Sequence, residues 1–252
     1  MLVVGFALVD LAGPGPDSGR ATPAPAQVER LAQVLAAREY HVSPVEGSLQ
    51  APNRAHDLRT TFTREGVTVA PRRGPAAGDW RWRWTTSAWG RDQLTPLPPV
   101  NPVSHLVRVD YRRRDLSEWY LNGPDGVEQG FTVHRRPAGD GPLRIVGTIA
   151  GALTPRPDAD GVDYVDDDAV PRLRYDKLLT VDARGRAVPG AIDVTGDQIA
   201  LVIDDRDAAY PLTIDPLVST PAWSMDGPNI HAGFGARIAP AGDVDGDGYS
   251  DV

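Results

Sequence analysis

Most of the chain alternates apolar and polar residues with the period of two that is typical of β-strands. In the segment 57–71, DLRTTFTREGVTVAP, alternation places Leu58, Thr60 and Phe62 on one face, and the polar run TREG leads into a second alternating stretch. These features predict a β-hairpin. In the segment 79–86, DWRWRWTT, three tryptophans alternate with two arginines. This predicts a strand with one aromatic and one cationic face.

Further short strands follow at intervals of about 8–12 residues, with polar turns between them. They are predicted within 105–135, with turns at 112–115 and 122–126, at 142–149, and four times within 175–217. Pro216 has no N–H group and is expected to stop the last strand. The series predicts a mainly β fold, namely an antiparallel β-sandwich-like domain.

The same alternation predicts which side chains are buried. The residues expected in the core are Phe62, Val67, Val69, Leu106, Trp119, Phe131, Ile145, Leu179, Ile199, Leu201, Ile203 and Ile214. Burial of each side chain contributes roughly 1.5–3 kcal/mol. Because a register shift of one residue would turn a whole strand over, their burial tests the predicted register.

One segment has helical rather than strand spacing. Within 27–39, QVERLAQVLAARE, the residues Val28, Leu31, Ala32 and Leu35 fall on one face. This spacing predicts one N-terminal helix. The chain contains 26 glycines and 24 prolines, a content that favours turns over long helices elsewhere.

The segment 1–26 is signal-like. Residues 2–9 form an apolar run that is too short to span a bilayer, and Ala24 and Ala26 are small residues suited to signal cleavage. Asp10 interrupts the run and no positive charge precedes it, so the alternative is a disordered tail. We expect export, to the medium or to the cell surface. The chain has no cysteine, which excludes disulfides, thiolate metal sites and cysteine nucleophiles.

The net charge of −8 is unevenly distributed along the chain. Residues 1–150 carry 18 arginines against 15 acidic residues, whereas residues 151–252 carry eight basic residues against 19 aspartates. The acidic second part repels nucleic acid and anionic membranes and attracts cations. We therefore expect neither a nucleic-acid partner nor a membrane span.

Aspartates recur at alternate positions in the last segment, AGDVDGDGYSDV at 241–252. Calcium prefers six to eight oxygen ligands, and carboxylates at loop positions 1, 3 and 5 can curl around one ion when a glycine at position 6 allows a sharp turn. Position 7 then offers its backbone carbonyl. The residues at positions 1, 3, 5, 6, 7 and 9 are Asp243, Asp245, Asp247, Gly248, Tyr249 and Asp251. The alternative is a solvated Asp-Gly turn without an ion.

The segment FGARIAPAGDVDGDGYSDV at 234–252 resembles an FG-GAP repeat, the blade unit of the integrin-type β-propeller. Phe234 and Gly235 match the opening pair of the repeat, and 243–251 matches its D-x-[DN]-x-D-G-x-x-D loop. The resemblance implies a truncated start of a β-propeller blade. It also implies one Ca²⁺ site, whose ligands are Asp243, Asp245, Asp247, Asp251 and the carbonyl of Tyr249.

A second, looser resemblance covers the middle of the chain. The segments at 118–133, 178–186 and 208–217, the last containing YPLTIDP, resemble an uncharacterised β domain. That domain often precedes FG-GAP repeats in large secreted bacterial proteins. It carries no known activity, so this resemblance implies only architecture and export.

Together these features predict four regions. They are a signal-like segment and linker at 1–26, a helix at 27–39, an antiparallel β domain at 40–217, and a linker with the truncated repeat at 218–252. The sequence stops one residue after the last predicted ligand, so we expect a fragment of a longer protein. Calcium should bind firmly only when following residues brace Asp251.

Three other segments have a functional and a structural interpretation. The acidic segment 157–168 could hold a second cation, but it lacks the ordered spacing of the first loop, which favours a solvated acidic loop. The strand with Trp80, Trp82 and Trp84 could stack sugar rings or bases. Burial of its tryptophans explains it without a ligand, and we favour this. The basic turn 112–114 is expected to be a solvated hairpin tip, with Asp110, Asp115 and Glu118 as its acidic partners.

Catalytic signatures are not found in the sequence. There is no G-x-S-x-G elbow, H-E-x-x-H pair or phosphate loop. The five histidines are scattered, and Ser104 and His105 are neighbours in a predicted strand, so their side chains point to opposite faces. These observations disfavour an enzyme, although catalytic groups can be distant in sequence.

The sequence therefore predicts an exported, non-catalytic, calcium-binding FG-GAP repeat protein. Its function would be surface adhesion or another interaction with an extracellular protein or glycan, and its oligomeric state is open. The alternative is a secreted hydrolase with the repeats as scaffold. A deep cleft with two facing carboxylates would favour the hydrolase, and a flat surface would favour the interaction module.

Overall fold

The computed structural model describes residues 39–72 and 79–220. The chain divides into two compact units after Arg38, and every described residue belongs to the second unit. The signal-like segment 1–26, the helix predicted over 27–39 apart from Glu39, and the predicted propeller blade all lie outside the described residues.

The described region is built from short β-strands joined by turns. The first nine are β1 (Ser43–Val45), β2 (Ser48–Asn53), β3 (Leu58–Thr63), β4 (Gly66–Pro71), β5 (Trp82–Gly90), β6 (Leu94–Pro96), β7 (Val103–His105), β8 (Arg108–Arg112) and β9 (Leu116–Gly123). The others are β10 (Gly126–Val133), β11 (Leu143–Gly151), β12 (Thr154–Pro157), β13 (Gly161–Val165), β14 (Pro171–Val181), β15 (Gly190–Thr195), β16 (Gln198–Ile203) and β17 (Leu212–Ser219). No helix among the described residues is long and apolar enough to cross a membrane.

The strands pair antiparallel in two sheets. The nine-stranded sheet has the order β1-β2-β3-β4-β5-β11-β16-β15, with β6 also paired to β5. The eight-stranded sheet has the order β12-β13-β14-β17-β10-β9-β8-β7. The chain changes sheet five times, so the sheets are interleaved in sequence. This confirms the predicted mainly β, antiparallel, sandwich-like architecture.

The main core contains side chains from both sheets. Trp84 and Ile145 of the nine-stranded sheet belong to the same buried cluster as Phe131 and Ile214 of the eight-stranded sheet. The ring centroids of Trp84 and Tyr175 are 5.6 Å apart. A smaller cluster joins β3 to β9, where the rings of Phe62 and Tyr120 meet edge to face at 5.2 Å. Apolar burial between the sheets is thus the main force holding them together.

Most of the predicted core is confirmed. The buried members of that set are Phe62, Val67, Val69, Trp119, Phe131, Ile145, Ile199, Leu201, Ile203 and Ile214. Trp119 lies on the outer face of its sheet rather than between the sheets. There it packs over Gly130, where a side chain would collide with the indole ring. The predicted hairpin at β3 and β4 and the buried Trp80, Trp82 and Trp84 are also confirmed.

Two core predictions are wrong, for different reasons. Leu106 is 57% exposed because it lies in the tight turn between β7 and β8, with a φ of 54°. Leu179 is 52% exposed because the register of β14 shifts between Asp176 and Leu179. Lys177 has a φ of 54° at this bulge. One extra residue turns the following side chains over, so Leu178 rather than Leu179 packs on the core.

Pro216 does not stop the last strand, because β17 continues to Ser219. The cross-strand pairs of β17 skip Pro216 on both sides, at the β14 bulge and between Glu128 and Phe131 of β10. A proline is tolerated within a sheet where the ladder is interrupted, since its missing N–H then has no partner to lose. The β domain therefore extends past the predicted boundary at residue 217.

Candidate functional site

The predicted calcium ligands lie outside the described residues. The set Asp243, Asp245, Asp247, Asp251 and the carbonyl of Tyr249 therefore stays a prediction. Within 39–72 and 79–220, no group of three or more histidine, aspartate and glutamate side chains is placed to hold a metal ion. The acids of the segment 157–168 form no such group.

Three acids of that segment are bonded to arginines instead, namely Asp158 and Asp163 to Arg174, and Asp166 to Arg172 at 2.6 Å. Arg174 contacts Asp158 at 2.8 Å, Asp163 at 2.9 Å and Asp176 at 2.9 Å. The hydrogen bond from Arg174 is the first cause that lowers the pKa of Asp158 to about 2. The same three acids raise the pKa of Arg174, with Asp158 contributing most. Asp158 therefore stays ionised at neutral pH, and the three acids surround Arg174 as its partners.

A cavity of about 450 Å³ opens between the loops that follow β14 and β16. Asp182 organises the first loop, because one of its oxygens accepts hydrogen bonds from the N–H groups of Arg184 and Arg186. Its other oxygen accepts from the Arg186 guanidinium at 2.7 Å and from the N–H of Ala209 at 3.1 Å. The Arg186 bond is the main cause that lowers the pKa of Asp182 well below its usual range. The cavity wall is therefore a preformed, fully ionised turn.

A buried ion pair lies between the β5–β6 turn and the loop after β16. The Nη2 atom of Arg91 is 2.5 Å from Asp205, and the side chains are 1% and 0% exposed. The hydroxyl of Tyr210 donates to the same carboxylate, and the guanidinium of Arg91 also donates to the carbonyls of Pro137 and Gly141. Arg91 and Asp205 are 114 residues apart, so no local sequence signal indicates the pair.

A chain of polar side chains also crosses the interior. Arg113 contacts Glu118 at 3.4 Å, and Glu118 accepts a hydrogen bond from Tyr120 at 2.6 Å. Gln129 donates to both Glu118 and Tyr120 and accepts from Tyr175 at 2.8 Å. Burial is the main cause that raises the pKa of both tyrosines. Their hydroxyls therefore stay neutral donors, as a saturated interior network requires.

The prediction for the basic turn is confirmed in part, because two of its three predicted acidic partners, Asp110 and Glu118, contact it. Arg112 is exposed and lies 3.6 Å from Asp110, as predicted. The side chain of Arg113, however, is only 11% exposed, because it turns inward to the buried carboxylate of Glu118. Asp115 pairs with Arg135 at 3.1 Å instead of with the basic turn.

Two carboxyl groups meet on the outer face of the eight-stranded sheet. Asp215 of β17 and Glu128 of β10 are both half-buried. The pKa of Asp215 is raised to about 7. Desolvation is the largest cause, and the charge of Glu128 and a hydrogen bond with Glu128 add to it. Asp215 therefore keeps its proton to a higher pH than an ordinary aspartate does. Sequence analysis missed the pair because the residues come from distant strands that the sheet brings together.

The structure also brings together a serine and a histidine. Ser104 and His105 are neighbours in β7, as predicted. The contact is made elsewhere, between Ser117 Oγ and His134 Nε2 at 2.9 Å on an exposed strand end. No carboxylate among the described residues bonds the His134 ring. The pair therefore lacks the third group that orients a catalytic base.

No model of a known protein family, no curated protein and no solved structure matches the chain. The FG-GAP resemblance therefore depends on the motif at 234–252 alone.

Proposed function

We propose that the chain is an exported, non-catalytic, calcium-binding FG-GAP repeat protein of the cell surface or medium, which acts in adhesion or another interaction with a protein or glycan. The loop at 243–251 carries this proposal. It places four carboxylates and one carbonyl at the spacing that surrounds a calcium ion. An all-oxygen, flexible loop suits calcium better than magnesium, which requires a strict octahedron.

Two features of the described domain support an interaction module. Antiparallel sandwiches are common in cell-surface proteins, although such a fold-level analogy is weak evidence of function. The ionised groups around Arg91, Asp182 and Arg174 are also engaged in internal pairs. Side chains that are bonded to one another in this way stabilise a scaffold more than they assist a reaction.

The secreted hydrolase remains the second candidate, because Asp215 lies beside Glu128 and has a pKa raised to about 7. Glycosidases use two carboxyl groups of separate pKa that flank the substrate. Here the two acids lie side by side on a sheet surface, and the cavity of about 450 Å³ is lined by other residues. Loss of a hydrolytic activity in Asp215→Asn would establish the hydrolase and overturn the non-catalytic assignment.

Calcium binding can be measured by titration calorimetry and by luminescence of terbium, a calcium substitute that Tyr249 would sensitise. The protein is the chain with one further FG-GAP repeat joined after Val252, so that Asp251 is braced. We expect calcium to bind, to displace terbium and to raise the melting temperature, as a ligand selective for the folded state does. Magnesium at equal concentration should not replace it.

The variants Asp245→Ala and Asp167→Ala distinguish calcium binding at the loop from attraction of calcium to any acidic residue. Asp245 is a predicted ligand, whereas Asp167 is an exposed acid of the β13–β14 turn. Binding should be lost in Asp245→Ala and kept in Asp167→Ala. Equal binding by both variants, or no binding by the parent protein, would refute the site.

A further inference from the structure

Two rows of polar side chains cross the outer face of the nine-stranded sheet. Cross-strand pairing aligns one row over β2, β3, β4 and β5, and a second row over β5, β11, β16 and β15. The rows consist of Gln50, Thr61, Thr68 and Arg83, and of Thr85, Thr148, Gln198 and Thr195. Side chains that pair directly across strands share a face, so hydroxyl, amide and guanidinium groups form a continuous hydrogen-bonding surface.

Three exposed arginines lie on this face without strong ion pairs. Arg59 lies on β3 and Arg83 on β5, and neither has an acidic partner within 4.0 Å in the described part of the chain. Arg81 has only a loose contact of 3.7 Å with Asp79, whose side chain is 87% exposed. We call Arg59, Arg81 and Arg83 the arginine triad.

The triad belongs to the most basic part of an acidic chain. Residues 48–90 contain seven arginines and three acidic residues, a net charge of +4 in a chain of −8. Successive outward residues on β5 are about 7 Å apart, and β3 and β5 are separated by two strand spacings, about 10 Å. Several negative groups spaced along one ligand can therefore be contacted together.

A groove of about 480 Å³ runs beside the triad, lined in part by Arg59, Arg81, Gln50 and Thr61. Trp80 is 7% exposed, and Trp82 and Trp84 are buried more deeply. Trp80 lines the groove with little of its ring exposed, and Trp89 at the far end of β5 is half-buried. Strands β3, β4, β5 and β11 also contribute none of the exposed large apolar residues of the described region. Recognition at this face must depend on charge and hydrogen bonds.

We propose that this face binds an acidic polysaccharide, a sugar chain that bears carboxylate or sulfate groups. Guanidinium groups bond such oxyanions in a bidentate manner, and threonine and glutamine match sugar hydroxyls. A protein partner would require an apolar centre, which the face lacks. Single-stranded nucleic acid would require exposed rings on which its bases stack, and this face offers little ring surface.

This inference rests on the proposed interaction with glycans and assigns it to a surface and a ligand class. It does not involve the loop at 243–251, so the two proposals can fail separately. Binding to the face should persist in EGTA and in Asp245→Ala. Loss of polysaccharide binding in either case would overturn the assignment to the arginine triad, whatever the outcome of the calcium titration.

The experiment measures binding of the full chain to immobilised polymers by biolayer interferometry, in EGTA and at two salt concentrations. The probes are heparin for sulfate, polygalacturonate for carboxylate, dextran as a neutral chain, and a single-stranded oligonucleotide. We expect binding to at least one acidic polymer that weakens with added salt, and none to dextran. Equal binding to dextran, tighter binding to the oligonucleotide, or no binding to either acidic polymer would overturn the proposal.

The decisive variant replaces Arg59, Arg81 and Arg83 by glutamine together. Its matched control replaces three exposed arginines elsewhere, Arg114→Gln, Arg156→Gln and Arg184→Gln, with the same change in net charge. We expect at least a tenfold loss of affinity in the first and less than a twofold loss in the second. Equal losses would show that general charge, and not this face, binds the polymer. Replacing the triad by lysine keeps the charge and should retain part of the binding.

Discussion

The arginines on the outer faces of the two sheets differ in whether they have acidic partners. On the eight-stranded sheet, Arg174 is bonded to three aspartates, and Arg108 is 2.9 Å from Asp110 while its guanidinium covers the ring of Trp119 at 4.8 Å. On the nine-stranded sheet, Arg59 and Arg83 have no such partners among the described residues. One surface saturates its charges internally, and the other leaves them available.

This difference shows why an abundance of arginine does not by itself indicate a site. An arginine surrounded by acids has its donors occupied and presents little net charge to a ligand. An exposed arginine beside threonines keeps all five donors free. The contrast also separates the two functions of charge in this molecule, which are to stabilise the fold and to provide a binding surface.

The largest effect is expected where a paired charge is fully buried. In Asp205→Asn the guanidinium of Arg91 loses its counter-ion inside the protein, so the free energy of unfolding should fall by about 3–5 kcal/mol. Urea unfolding measures it, through a lower midpoint at an unchanged slope. The adjacent exposed acid provides the control, because Asp204→Asn removes only a solvent-exposed pair with Arg206. A similar loss in both variants would contradict the importance of burial.

A smaller effect is expected at the carboxyl pair of Asp215 and Glu128. There, removing a charge should raise the free energy of unfolding instead of lowering it. The pKa of Asp215 is raised from 3.8 to about 7 in the folded protein, so folding favours its protonated form. Stability is fully present below pH 3.8 and is lost as pH rises through 7. Because the side chain is half exposed, solvent screening reduces this effect to about 1 kcal/mol.

Asp215→Asn should therefore gain about 1 kcal/mol at pH 8 and flatten the profile between pH 5 and 8, measured by urea unfolding at each pH. Glu128→Gln distinguishes the causes, since it removes the neighbouring charge but not the desolvation. We expect it to reduce the slope without abolishing it. A flat profile in the parent protein would contradict the raised pKa of Asp215.

The smallest effects on the free energy of unfolding are expected from replacing one arginine on each outer face. Arg174→Gln should lower the free energy of unfolding by about 0.5–1 kcal/mol, because it frees three aspartates from their common partner. Arg83→Gln should change it by less than about 0.5 kcal/mol, as an unpaired surface substitution does. Thermal melting of both variants in low salt tests the pair. Equal destabilisation would mean that Arg83 also has a structural function.

The sequence predicts the fold where local pattern suffices. Alternation identified the hairpin of β3 and β4, the Trp/Arg strand and most of the core, because burial on one face of a strand leaves a period-two signature. It failed at Leu179, because the bulge in β14 reverses which face the following side chains occupy. It failed at Pro216, because the same bulge interrupts the pairing of β17 and a proline is tolerated there. A bulge depends on the partner strand, which a single alternating segment does not specify.

The sequence by itself determined the strand-rich composition, the alternating core positions and the spacing of the aspartates at 243–251. Only the tertiary structure decided that Arg91 meets Asp205, that Asp215 lies beside Glu128, and that Arg59 and Arg83 have no acidic partner among the described residues. Local pattern depends on neighbours within a few residues, whereas charge pairing depends on which strands become adjacent. In a sandwich whose chain changes sheet five times, that adjacency is set by the packing of the whole domain.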